Sequence, residues 1–205
     1  MFKDSVFVLE TKRQLVHLSL GLTISFAVYH LMPIIGYLIL IPLLIALTFL
    51  YIVPKKWPDL RIANHLIIHF ERDNDAISCP FKGSIWYCIG IMPPLLLSLA
   101  NIMPLEVACA IIAVLSVGDS TSTWFGKFFG RIRIGHKSLE GFLAFFVFGS
   151  LSVLLFAQNY QLALIFGFFG AVLEFFTLID DNFFIPVGLT ILYHALNIIA
   201  PNLIL

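Results

Sequence analysis

The chain has 205 residues, of which 60% are hydrophobic and only 12% charged, with a formal net charge of zero. Mean hydropathy is +0.99, whereas soluble domains are roughly 45–50% apolar and about 25% charged. This excludes a soluble globular domain and predicts one all-α membrane domain over residues 1–205, a polytopic helix bundle with no nucleic-acid partner.

About seven apolar segments are long enough, or nearly so, to span a bilayer. In chain order they are 14–31, 35–53, 84–103, 105–124, 139–157, 160–178 and 183–200. No small-residue cleavage site follows the first apolar run, so it is read as a retained helix. The link 54–83 carries Leu60, Ala63, Leu66, Ile67 and Phe70 on one helical face, which predicts a helix lying in the membrane interface. The ERDNDAISCP stretch that follows reads as a turn region, and Pro93-Pro94 as a kink in the third span. His65 and His69 have metal-ligand spacing but no third ligand, so a solvated face explains them better. Cys79, Cys88 and Cys109 lack ligand-like spacing, and Cys88 and Cys109 read as packing residues.

All 12 Lys and Arg precede the first span, lie in the link 54–83, or lie in a basic loop at 125–138. If the spans alternate, these regions share one face. The positive-inside rule then predicts a cytoplasmic N-terminus and a multi-pass protein whose polar chemistry sits at the cytoplasmic surface.

One segment stands apart: GDSTSTWFGKFFGRIRIGHKSLEG, from Gly118 to Gly141. A charge within hydrocarbon costs about 2.5–3.5 kcal/mol on insertion scales, so Asp119 near a span end needs a reason. Thr123 follows one turn later on the same face, then Gly126 and Gly130. One reading is a Mg²⁺–nucleotide phosphate site, because Mg²⁺ is commonly held by one or two carboxylates plus phosphates. The other is close helix packing through Gly126-x-x-x-Gly130, which explains the glycines but not the aspartate. The run from Gly130 to Ser138 approaches a P-loop, with one residue inserted and no buried strand before it, so a P-loop fold is rejected. Lys137 and Ser138 still stand at a helix N-terminus, where backbone amides favour anions.

Further acids fall on the same predicted face. Glu174 lies among Leu173, Phe175 and Phe176, and Asp180-Asp181-Asn182 closes the sixth span. Such acids suit metal binding or general-base work. Glu10, Arg13 and His17 are spaced three and four apart at the entry to the first span, as an ion pair or part of a substrate site.

Three blocks, in order, carry a family resemblance: Glu10, Arg13, His17 and Gly21 as E-x-x-R-x-x-x-H-x-x-x-G; GDSTSTWFGKFFG followed by HKSLEG; and AVLEFFTLIDDNFFIP at 171–186. The chain resembles the membrane family of CTP-dependent lipid kinases. That family includes dolichol kinase, phytol kinase and the yeast-type diacylglycerol kinase, with a more distant likeness to phosphatidate cytidylyltransferase. Ser120 and Thr121 stand where many relatives carry small apolar residues.

The resemblance implies transfer of the γ-phosphate of CTP to the hydroxyl of a membrane lipid alcohol: polyprenol or dolichol, phytol or geranylgeraniol, or diacylglycerol. It implies a nucleotide–Mg²⁺ site at Asp119, Gly126, Gly130, Lys137, Ser138 and Gly141, with Glu174, Asp181 and Asn182 across the bundle. On this reading Asp119 and Asp181 hold the metal, and Asp181 or Glu174 serves the alcohol. Thr123, Lys127 and Lys137 serve the nucleotide. A CDP-lipid synthase is the nearest alternative. A small transporter is the alternative of another class, and it predicts polar residues at several depths, where the outer side offers essentially Glu106.

Overall fold

A computed structural model describes residues 2–57, 59–70, 79–177 and 180–200. The chain forms α1 (Phe2–Ile35), a 3₁₀ turn (Gly36–Ile39), α2 (Leu40–Lys56), α3 (Arg61–Phe70), α4 (Lys82–Leu99) and α5 (Leu105–Phe128). A hairpin of β1 (Arg133–Ile134) and β2 (Lys137–Ser138) precedes α6 (Leu139–Leu154), α7 (Tyr160–Phe175) and α8 (Asp181–Ile199). Apart from that hairpin, the regular elements of the described residues are all helices.

Each expected apolar segment falls on a helix, but length and apolarity qualify fewer of them as spans. Among the described residues, three stretches are long and apolar enough to cross a membrane: Phe7–Lys56, Leu105–Phe128 and Asp181–Ile199. The first holds both of the first two expected segments. Gly36 breaks it, with a left-handed φ of 54° that glycine adopts without a Cβ clash. Helices α6 and α7 have 16 residues each. At 1.5 Å per residue they reach about 24 Å, short of a hydrocarbon core of about 30 Å. In α4, Lys82, Trp86, Tyr87 and the two prolines dilute the apolar character, and the helix runs on through Pro93 and Pro94.

Helix α5 is the central element. From Ala108 to Leu115 every residue is fully buried. It packs most extensively against α6 and α1, while α4 packs on α8 and α6 on α7. Small residues permit these approaches. A Cβ on Gly21 of α1 would run into the Ser116 side chain of α5. Gly21→Val should therefore cost about 1–3 kcal/mol through overpacking, seen as a lower unfolding temperature in detergent.

Other expectations fare unevenly. The basic loop at 125–138 starts later than expected, because α5 continues to Phe128 and residues 133–138 form the hairpin. Helix α3 occupies the link 54–83 as expected and touches α1. Leu66 and Ile67 are half-buried, but Ile62 and Ile68 are exposed. The side chains of Ala63, His69 and Phe70, and residues 71–78 of the turn region, lie outside the described set. Cys88 and Cys109 are buried free thiols.

Candidate active site

The polar end of the bundle is built where α5 ends and where α4, α6 and α8 begin. A pocket of about 550 Å³ opens there. Its wall includes Arg13 and Gln14 of α1, Lys82 and Gly83 of α4, and Asp119, Ser122, Thr123, Gly126 and Lys127 of α5. The hairpin contributes Arg133, His136, Lys137 and Ser138, and Gly141, Glu174, Thr177, Asp180, Asp181 and Asn182 complete it.

Three carboxylates converge from three helices. Asp119, Glu174 and Asp181 each offer an oxygen, and these lie within 4.8 Å of one another. Glu174 is only 2% exposed. Its Oε1 accepts a hydrogen bond from Ser122 Oγ at 2.9 Å and another from the Lys137 ammonium. Lys137 also donates to Asp181 Oδ2 at 3.2 Å. Burial works against the Lys137 charge, but the carboxylates of Glu174 and Asp181 outweigh it and raise the pKa above the ordinary ammonium value. These pairs therefore persist through neutral pH. Their contribution to stability is complete below the unfolded lysine pKa and is lost only as pH climbs through the raised folded value.

Local structure fixes the neighbours. Asp180 caps α8, its Oδ1 accepting from both the amide and the side chain of Asn182 at 3.1 Å. Burial pushes the Asp180 carboxyl above its usual range. Ser138 caps α6, accepting from the Gly141 amide at 3.1 Å. One amide of the expected anion site is thus already engaged by a side chain. The Glu140 carboxylate accepts from the amides of Arg131 and Ile132 and so ties the hairpin to α6. A Cβ on Gly141 would lie 2.9 Å from the Ser122 carbonyl oxygen, which shows how closely α5 and α6 cross beneath the pocket.

The first block also reaches this region. Glu10 pairs with Arg13 at 3.1 Å and with Lys127 at 2.9 Å, joining α1 to the end of α5. His17 Nε2 lies 3.8 Å from Asp119 Oδ2 and has no hydrogen-bond partner. The Leu115 carbonyl hydrogen-bonds the ring, necessarily through its other nitrogen. His17 thus stands beside Asp119 at a separation longer than a hydrogen bond.

The donor set fits a hard divalent cation. Asp119, Glu174 and Asp181 offer oxygen atoms only, the donor type such cations prefer. Asp181 Oδ1 and Gln14 Oε1 are buried acceptor atoms without hydrogen-bond partners. Gln14 is 8% exposed and belongs to the same wall.

An uncharacterized protein of Methanocaldococcus jannaschii is 31% identical to the chain over 198 residues, covering 92% of this chain and 95% of its own. The chain belongs to that archaeal protein's family. The match runs nearly end to end, so it takes in the elements that build the pocket. No protein-family model and no solved structure matches the chain.

Within this family member, the pocket wall gathers most of the residues singled out from sequence: Asp119, Thr123, Gly126, Lys127, Lys137, Ser138, Gly141, Glu174, Asp181, Asn182 and Arg13. Gly130 is not among the wall residues. A Cβ there would strike the Gly126 carbonyl, so its place is close packing. Glu10 and His17 stand behind the wall, against Lys127 and Asp119 respectively. Sequence reasoning missed Gln14, Ser122, Lys82 and Thr177. Ser122 alone carried a signal: it lies one turn before Gly126, on the helix that presents Asp119.

Proposed function

We propose that the protein is a CTP-dependent lipid kinase, transferring the γ-phosphate of CTP to the hydroxyl of a membrane lipid alcohol. One observation carries this reading: three acids and the cations Arg13, Lys82, Lys127, Arg133 and Lys137 meet in one pocket at one end of an apolar bundle. A polyanion held through a divalent cation needs both sets of groups. The family resemblance supplies the nucleotide and the acceptor.

Asp119 and Asp181 would hold Mg²⁺. When bound, Mg²⁺ neutralises charge on the phosphates. Lys127 and Lys137 face the phosphates with the amides behind Ser138. Asp181 or Glu174 accepts the proton of the lipid hydroxyl as its oxygen bonds to the γ-phosphorus. The bond from that phosphorus to the β-bridging oxygen breaks, and CDP leaves. The lipid tail stays in the bilayer beside the apolar helix faces. The chain crosses the membrane several times, about seven on the apolar pattern, with the N-terminus and the site at the cytoplasmic face. The position of every Lys and Arg supports that orientation.

A transporter would need polar groups along its path. The middle of α5 is buried and apolar from Val107 to Leu115. A second cavity, of about 630 Å³ at the opposite end, has no charged residue in its wall.

Incubating the purified protein with γ-labelled CTP, Mg²⁺ and each lipid alcohol should move label into lipid and release CDP. Release of pyrophosphate instead would identify a CDP-lipid synthase. No turnover with any alcohol would remove the kinase reading.

A further inference from the structure

Few direct ion pairs reach the acid cluster, although other cations share its pocket. Among the described residues, Lys137 is the Lys or Arg that contacts Asp119, Glu174 or Asp181, touching the latter two. Arg13 and Lys127 share the pocket wall but are held by Glu10. The three carboxylates thus share one direct ammonium partner, which leaves several of their oxygen lone pairs open to a cation. Gln14 gives an independent sign of a ligand. Its amide oxygen accepts only, is buried and unpartnered, and belongs to the same wall.

We infer that the Lys137 ammonium is a tethered stand-in for the divalent cation: it holds Glu174 and Asp181 together in the resting protein and yields to the incoming cation. This rests on the Mg²⁺–nucleotide reading above and adds a step to it. A cation ligated by these carboxylates and Lys137 Nζ in its present position would stand within a few ångströms of each other, where like charges repel strongly. Lys137 has somewhere to go. It sits on β2, its side chain is 33% exposed, and its stem is long and flexible. Displaced, it turns to the phosphates of the arriving nucleotide. The site thus binds a bare cation weakly, and binds it well only when a polyphosphate gives Lys137 a new partner.

The test uses the full chain in detergent, with Mn²⁺ as the cation and electron paramagnetic resonance as the readout. Lys137→Met should bind Mn²⁺ at least about tenfold tighter than the unsubstituted chain, since the competing charge is gone, and Lys137→Arg no tighter. In the unsubstituted chain, added Mg²⁺ should speed modification of Lys137 by an amine-reactive reagent, followed by mass spectrometry. That second measurement does not depend on a variant folding. Unchanged or weaker Mn²⁺ binding by Lys137→Met, or Lys137 modification that Mg²⁺ leaves unchanged or slows, overturns the inference while the cation site stands. If neither chain binds Mn²⁺ even with CTP present, the Mg²⁺–nucleotide reading falls with it.

Discussion

Asp119→Asn should lower lipid phosphorylation by about 10³-fold or more, a loss of ~4 kcal/mol of transition-state stabilisation, while making the cation-free protein harder to unfold. The two effects have one origin. Asp119, Glu174 and Asp181 crowd their oxygens within 4.8 Å. Two ionised carboxylates at that separation repel by about 3 kcal/mol at an effective dielectric of 20, and Lys137 offsets only part of this. Asparagine keeps the shape and removes one charge. A gain of about 1 kcal/mol in a chain of this size appears as ~2–4 °C in unfolding temperature. Mg²⁺ added together with CTP should stabilise the unsubstituted protein but not the variant. Labelled-CTP transfer and thermal unfolding in detergent, with and without Mg²⁺ and CTP, check both halves. Near-normal kinase activity in Asp119→Asn would refute the metal role given to this residue.

Glu174 should separate charge from shape. Glu174→Gln retains an oxygen for the Ser122 hydroxyl and fills the same volume, so its stability should stay within about 1 kcal/mol of the parent. Glu174→Ala leaves Ser122 without its acceptor, halves the contacts of Lys137 and opens a void at a site 2% exposed. It should lose about 2–4 kcal/mol. Both variants should lose at least about 10²-fold in turnover, because neither supplies a carboxylate. Equal stabilities for the two would show that Glu174 has no structural part, and equal activity with the parent would remove it from the chemistry.

Much of this site could be read in advance because charge is rare in the chain. An aspartate at the end of one apolar segment and a glutamate inside another stand out at once, and the placement of the basic residues put both on one face. Asp119 and Asp181 are far apart in sequence, yet the alternation of helices returns them to the same end of the bundle. The other participants are chemically ordinary. A serine in a membrane helix usually bonds its own backbone, as Ser25 and Ser116 do here, so nothing local marks Ser122 as the partner of Glu174. Gln14 is conspicuous only because tertiary burial deprives its amide oxygen of a donor. Ser138 and Gly130 fit the motif, but their hydroxyl and their missing side chain are committed to capping and to close approach. Span number was the least readable feature. Apolar runs mark helices well, but whether 16 residues cross a bilayer depends on neighbours that shorten the path.

The central helix has a buried apolar body and a polar end, and the three clustered carboxylates meet at that end. Selection can therefore act on the two parts separately. On the proposed function, substitutions on the exposed apolar sides of α2, α6 and α7 would alter which hydrocarbon tail lies against the bundle without disturbing the carboxylates. The same pocket could then be inherited unchanged by descendants whose exposed apolar faces differ.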